Sequence, residues 1–571
     1  MNASTITYTH KSMSDDQKKC SQLLSSEYNI HPIMADLYTL RGVKDFNDIN
    51  LAQKLEPFTN LKNIQQAVNI LAEAIFKKEK ICIVADYDVD GATACTIGIR
   101  GLKMFGANID YVVPDRFIHG YGLTPSVVDE AINKKNPDLI VTVDNGTASH
   151  EGIDYAHKKG LKVLVTDHHL QGDTLPNADC IVNPNQNTCT FQSKALAGCG
   201  VIFYVLAALR SHMIKIGVYD IKSAPNVFSL LDLVAIGTVA DLVKLDTNNR
   251  ILVKLGLDMI RRGETRKGVL ALIDVSKRRY DTLTTSDIGF AIGPRLNAAG
   301  RLEDMTIGIN CLLTDNEETA KKLANELNGI NQSRKLIETE MKEQALDLPS
   351  LKLEGNTRVA YDESFHEGVI GIVASRIKEL FYRPSIVFAN AHGQEDYIKG
   401  SGRSIPEVHL RDALDYVHKK NPNIMVKFGG HAMAAGLTIK KKELDNFCNL
   451  FEEAVTHFTE GKDLINVKEI DIDLPSNYLN INTAYAIRDE IWGQGFSQPL
   501  FKGKFKILEQ KILKDAHLKL KLEKDGELFD GMWFFINEPL EDKEIDLVYS
   551  LGINEFMGNI NLQIMIDGKL S

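Results

Sequence analysis

Five short apolar runs separated by helix-like stretches constrain this chain more than any other feature. They are Ile81–Val84, Tyr111–Val113, Leu139–Val143, Val163–Val165 and Cys180–Val182. Each is apolar throughout and mostly β-branched, so both of its faces must be buried. Strands of this kind, linked by helices, predict a parallel sheet covered on both sides, a doubly wound α/β domain. In such a sheet ligands bind beyond the carboxyl ends of the strands, and this is where the acids fall. The first run continues into Ala85-Asp86-Tyr87-Asp88-Val89-Asp90-Gly91, the third into Asp144-Asn145-Gly146, and the fourth into Thr166-Asp167-His168-His169.

Three carboxylates at alternate positions repel one another unless a cation neutralises them. The competing reading is a solvated acidic turn or a helix cap. Recurrence at three strand ends favours a site. Asp241 follows the apolar stretch Leu233-Val234-Ala235-Ile236-Gly237-Thr238-Val239-Ala240, where a charge is costly unless paired. Oxygen ligands with one or two imidazoles suit two hard or borderline cations such as Mn²⁺ or Mg²⁺. The lack of cysteine ligands argues against structural zinc. Two such ions stabilise an in-line displacement at phosphorus.

The rest of the chain divides by pattern. Residues 1–50 are polar and helix-prone, an N-terminal cap; the α/β domain is expected to span 51–315. Leu323, Leu327, Ile330, Ile337 and Met341 recur at helical spacing in a long connecting helix over 316–348. A smaller α/β unit occupies 349–462. In 463–571 Leu518, Leu520 and Leu522 alternate with Lys519 and Lys521 before an Asp525-Gly526 turn. That pattern predicts antiparallel strands and a small β-barrel. Lys502, Lys504 and Lys506 share one face there, either a solvated edge or a groove for a nucleic-acid strand. The 76 acidic residues outnumber 66 basic ones, a net charge of −10, which argues against a protein that coats nucleic acid. Eight cysteines without a CxxC, no apolar run of membrane length and no apolar leader point to a soluble, cytoplasmic protein with reduced thiols.

The order DYDVDG, VDNG, TDHH and AIGTVAD resembles the DHH phosphoesterase superfamily. Residues 116–123 (RFIHGYGL), 293–301 (GPRLNAAGR), 366–376 (HEGVIGIVASR), 400–404 (GSGRS) and 428–436 (FGGHAMAAG) narrow the resemblance to RecJ. It implies a DHH domain, a DHHA1 domain and a C-terminal OB-fold. It also implies a 5′-to-3′ exonuclease of DNA repair and recombination that degrades single-stranded DNA to 5′-mononucleotides, using two Mn²⁺ or Mg²⁺ ions. The metal positions are then Asp86, Asp88, Asp90, Asp144, His168 and Asp241, with Asp86 the one that also suits a supporting place outside the ligand set. Asp167 orients its neighbours and His169 faces the scissile phosphate; with Asp88, Asp144 and His168 they form the catalytic set.

Substrate contacts implied by the resemblance are Arg116, His119, Tyr121, Arg295, Asn297, Arg301, Arg376, Ser401, Arg403, Gly429, Gly430 and His431. Arg116, Ser401 and Arg403 would grip a terminal 5′-phosphate, since guanidinium matches phosphate bidentately. Ordinary surface charge is the competing reading for each arginine. Tyr121 and Phe365 are candidates for base stacking or for core packing. The two α/β domains would clamp the strand in a cleft too narrow for a duplex. A monomer is expected, with single-strand-binding protein and a RecQ-type helicase as partners. The rivals are a DHH phosphoesterase acting on short RNA or cyclic dinucleotides, and a non-catalytic scaffold on the same fold.

Overall fold

The computed structural model describes residues 6–51, 55–115, 118–352, 354–556 and 558–570. Arg116 lies outside the described residues. The chain forms two compact units: 10–300 with 304–328 and 469–571, and 1–9 with 301–303 and 329–468.

The larger unit holds the predicted parallel sheet. Its strands are β1 (Lys80–Ala85), β2 (Asn108–Val112), β3 (Leu139–Val143), β4 (Lys162–Thr166) and β5 (Cys180–Val182). Their spatial order is β2-β1-β3-β4-β5, and every pairing is parallel. Alternation sends Ile81, Ile83, Leu139 and Val141 into one core and Cys82, Val84, Ile140 and Val163 into another. The first core is shared with helices α1 (Val89–Met104), α4 (Gly198–Lys215) and α5 (Leu231–Ala240). The second is covered by α2 (Pro125–Lys135) and α3 (His150–Lys158). A π-helical turn over Ile288–Ile292 leads into α6 (Gly293–Leu302).

The β-rich C-terminus belongs to this same unit. Strands β11 (Ile472–Asp473), β12 (Phe501–Leu513), β13 (His517–Lys524), β14 (Glu527–Phe534), β15 (Glu544–Phe556) and β16 (Asn559–Lys569) are ordered β11-β12-β13-β14-β16-β15, and a further β12–β15 pairing closes a five-stranded barrel. Asp525 and Gly526 both have positive φ, 53° and 84°, the turn a two-residue hairpin requires. Trp492 and Phe496, from the segment before the barrel, join the core of the α/β domain. Thr285 Oγ1 donates to the carbonyl of Trp492 at 2.7 Å, and Leu245 N to that of Gln494 at 2.7 Å. Lys502 and Lys504 are ion-paired with Asp473 and Glu544 at 3.1 and 2.7 Å, as on a solvated edge.

The long helix α7 (Glu317–Asp347) begins in one unit and ends in the other. The smaller unit contains β6 (Arg358–Tyr361), α8 (Ile370–Phe381), β7 (Ser385–Ala391), β8 (Gln394–Arg403), β9 (Met425–Gly430) and β10 (Ala434–Lys440). Its sheet runs β9-β10-β8-β7-β6, with only β6–β7 parallel. Phe365 is buried in this unit's core among Val369, Val373 and Ile377, so packing accounts for it and stacking does not.

Candidate metal centre

β1 and β3 are neighbours where the strand order reverses, and the crevice beyond their carboxyl ends is the ligand position of such sheets. Asp88 caps α1, accepting from Gly91 N at 3.0 Å. Asp90 lies buried in the first turn of α1, and its oxygens accept from Gly198 N at 2.6 Å and Cys199 N at 2.9 Å, the first residues of α4. The acid of one helix start is thus held by the partial positive end of another. Asp241 is the C-cap of α5.

Three overlapping triads result, each with ligand atoms within 4.8 Å of one another. Asp86, Asp88 and Asp144 form one, Asp90, His168 and Asp241 a second, and Asp144, His168 and His169 a third that links the first two. They meet where His168 Nε2 lies 3.0 Å from Asp144 Oδ1; the same nitrogen is 3.5 Å from Asp241 Oδ2 and 3.8 Å from Asp90 Oδ2. Asp144 Oδ1, His168 Nε2 and Asp241 Oδ2 are buried, yet none of them has a hydrogen-bond partner among the described residues. Buried polar atoms nearly always have one. Oxygen and imidazole atoms converging without hydrogen bonds are the donor set of Mn²⁺ or Mg²⁺, and these residues fit such ions.

The electrostatics agree. Burial, then the charges of Asp90 and Asp88, push the Asp144 and Asp241 carboxyls well above the usual carboxylate range. The adjacent histidines divide. Burial and the charge of His169 lower His168, which stays neutral and free to ligate. Burial opposes protonation of His169, but the hydrogen bond and charge of Asp167 outweigh it and push His169 up to about 9. Asp167 is itself held below the carboxylate range, against its burial, by His169 and His168 and by Thr147 N. Asp167 Oδ1 receives His169 Nδ1 at 2.8 Å and the His168 N–H at 2.7 Å, so it fixes the turn that separates the two rings.

Asp144 has φ +62°, a left-handed conformation uncommon for a side-chain-bearing residue and concentrated at functional positions. Gly198 makes room for it: a Cβ there would lie 2.6 Å from Asp144 Cβ. A Cβ on Gly237 would lie 2.3 Å from Thr93 Oγ1 and 3.0 Å from Asp90 Oδ1. Sequence reasoning missed both glycines as site residues. It also missed Asn183 and Asn185, whose amides donate to the carbonyls of His169 at 2.8 Å and His168 at 2.6 Å. The signal was present, since Asn183-Pro184-Asn185 follows the fifth apolar run at the same sheet edge.

Three family models match: the DHH family N-terminal domain over residues 80–238, the DHHA1 domain over 354–457 and the RecJ OB domain over 470–568. The single-stranded-DNA-specific exonuclease RecJ of Salmonella typhimurium is 45% identical over 94% of this chain and 96% of its own length. That of Escherichia coli is 45% identical over 94% and 95%. The crystal structure of RecJ from Thermus thermophilus in complex with Mn²⁺ superposes with a TM-score of 0.84 at 26% identity, covering 99% of this chain and 80% of that one.

The chain belongs to the RecJ family. The remaining residues marked by its RecJ motifs are distributed between the units. In the larger unit Asn297 Oδ1 accepts from Val89 N at 3.2 Å, tying α6 to the start of α1. Arg295 donates to the carbonyl of Ala291 at 2.6 Å and to Asn328 Oδ1 at 3.0 Å, which anchors the π-turn and α7. Tyr121 is half exposed; its hydroxyl donates to the Asp144 carbonyl at 3.2 Å and contacts His169 Nδ1 at 3.2 Å. His119 is held by Ser126 at 3.0 Å and Glu130 at 3.4 Å on α2.

In the smaller unit Ser401 and Arg403 stand side by side on β8, Arg403 Nη1 donating to Ser401 Oγ at 3.2 Å. A Cβ on Gly371, in the first turn of α8, would meet Ser401 Oγ at 2.9 Å and Arg403 Nη2 at 3.0 Å. A guanidinium, a hydroxyl and a helix N-terminus therefore converge, the elements of a phosphate site. Arg376 instead donates to Glu338 Oε1 at 2.9 Å, and Glu367 accepts from Lys399 at 2.7 Å. Arg301 Nη1 donates to the Gly368 carbonyl at 3.4 Å. Gly430 serves its own hairpin: its φ is +145° and a Cβ would sit 2.4 Å from the Ala434 carbonyl oxygen. Gly429 faces open space, and His431 N closes the hairpin onto Ala434 at 2.8 Å.

Proposed function

We propose that this chain is a 5′-to-3′ exonuclease that hydrolyses single-stranded DNA to 5′-mononucleotides with two Mn²⁺ or Mg²⁺ ions. The observation that carries the reading is the pair of carboxylate triads joined at the 3.0 Å approach of His168 to Asp144. When bound, such ions supply an activated water and neutralise the leaving oxygen of an in-line displacement.

The chain's own residues do the rest. Asp86, Asp88 and Asp144 would hold one ion, and Asp90, His168 and Asp241 the other, with Asp144 lying 3.0 Å from His168. Asp167 keeps His169 protonated, and the cationic ring faces the negative charge that develops at phosphorus. Tyr121 fixes the His169 ring through its hydroxyl. Ser401 and Arg403, with the start of α8, receive a terminal 5′-phosphate, and Arg116 shares that role. His119, Arg295, Asn297, Arg301, Arg376, Gly429, Gly430 and His431 line the strand's path or support residues that do.

The division into a cap to residue 50, a DHH domain to 315, a connecting helix to 348, a DHHA1 domain to 462 and a barrel to 571 belongs to the same reading. So do a cytoplasmic monomer and its partners, single-strand-binding protein and a RecQ-type helicase. Among the described residues no helix is long and apolar enough to cross a membrane. The test is a time course on end-labelled single-stranded DNA in Mn²⁺, with and without a 5′-phosphate. Release of mononucleotides from the 5′ end supports the reading; cleavage of dinucleotides in preference to long strands overturns it.

A further inference from the structure

Two apolar side chains near the end of α5, Leu242 and Phe290, are largely exposed. Leu242 follows Asp241 directly and is 71% exposed, with a left-handed φ of +59°. It occupies the position just past a helix end that normally takes glycine. Neither conformational preference nor burial explains a leucine there, and strained backbone at such a place points to function. Phe290 is 83% exposed, while Ile288, Ala291 and Ile292 around it are buried. It lies in the π-helical turn, a distortion frequent at functional sites.

The two positions converge on one end of α5. A Cβ on Gly289 would lie 4.0 Å from Val239 Cγ1, and one on Gly293 3.5 Å from Ala240 Cβ. Val239 and Ala240 immediately precede Asp241, so the turn that bears Phe290 packs on the stem of a ligand-bearing residue. Asn297, one helical turn further along α6, bonds to the start of α1 and ties the segment to the acidic strand end.

We infer that Phe290 and Leu242 form an apolar platform that stacks an unpaired nucleobase of the strand whose phosphodiester lies at the metal centre. The inference rests on the function proposed above and adds to it a selectivity element. Every unpaired base offers a π-face, and stacking on an aromatic ring is indifferent to sequence. A duplex keeps those faces inside its own stack and gains nothing from the platform. Continuity with Asp241 commits the surface to nucleic acid.

The test is binding of a phosphorothioate single strand, resistant to hydrolysis, by the full chain in Mn²⁺, measured by fluorescence anisotropy. One strand carries all its bases and a second is abasic over its first nucleotides. Phe290→Ala with Leu242→Ala should weaken binding of the first strand about five-fold or more, a stack being worth about 1–3 kcal/mol. The abasic strand should bind the unaltered chain and the variant equally, and Phe290→Trp should restore the difference. Equal binding of the base-bearing strand by variant and unaltered chain overturns the inference, as does an equal loss on both strands. Both positions are exposed, and an unchanged thermal midpoint with an unchanged Mn²⁺ response checks the fold. If the unaltered chain prefers the base-bearing strand but cleaves no DNA, the proposed function fails and the platform stands. If it binds neither strand, both fail.

Discussion

Buried acids in the larger unit are treated in two opposite ways. Glu490, between the α/β domain and the barrel, accepts from Arg250 at 2.9 Å and from the Tyr38 hydroxyl. Burial raises its pKa, but the Arg250 charge together with hydrogen bonds from Tyr38, the Ile491 N–H and Arg250 holds it below the usual carboxylate range. Asp471 is met by Lys11 at 3.0 Å and Arg41 at 3.1 Å, and Asp232 by Arg266 at 2.5 Å. The fold therefore neutralises isolated buried acids with its own cations. At the strand ends it does the reverse. Asp88, Asp144 and Asp241 are pushed upward by burial and by one another, and no arginine or lysine is paired with them among the described ion pairs. The difference separates an acid that holds the structure together from acids kept for ions that come from outside.

That contrast is open to breaking. Asp144→Ala should lower the rate on end-labelled single-stranded DNA by about 10³-fold, since Asp144 belongs to the triad with Asp86 and Asp88 and lies 3.0 Å from the His168 of the triad with Asp90 and Asp241; retention of activity within tenfold would remove it from the metal set. Glu490→Ala should leave the metal response intact but destabilise the fold by about 3 kcal/mol, because Arg250 would be stranded in the core. Urea unfolding checks this, and a loss below about 1 kcal/mol would show the pair to be dispensable.

Mn²⁺ should raise the stability of the unaltered chain by about 2.7 kcal/mol at a hundred times its dissociation constant. Asp241→Asn should abolish much of that gain while making the metal-free chain more stable, since one repelling charge is gone. A calorimetric scan with and without Mn²⁺ reads both effects. Ser401→Ala with Arg403→Ala should leave the Mn²⁺ response unchanged and reduce the rate advantage of a 5′-phosphate about tenfold. The smallest effect is in acid. The folded pKa of Glu490 lies below its unfolded value near 4.5, so its contribution is complete above that pH and is lost as pH falls below it. Glu490→Gln should flatten the stability profile in that range.

Much of this was legible in the residues. The five apolar runs became five parallel strands, and the acids at their ends became the cluster. Residue spacing sufficed because a doubly wound sheet puts every strand end on one edge. What the chain order hid was support from elsewhere. Gly198 matters because Asp144 occupies the space beside it, and nothing in Leu196-Ala197-Gly198-Cys199 shows that. Phe365 was ambiguous because an aromatic beside a motif reads the same whether it faces solvent or core. Glu490 gave no sign at all, since its partners Tyr38 and Arg250 are hundreds of residues away.

The sequence by itself determined the sheet, the helices around it, the barrel and the chemical type of the site. Those depend on short-range periodicity and on which side chains a strand end presents. Only the tertiary structure decided which of two adjacent histidines is cationic and which acids are compensated. It also decided that the turn bearing Phe290 packs on the end of α5 that leads to Leu242. These properties arise from burial and from charges brought close by folding, and a linear order of residues specifies neither.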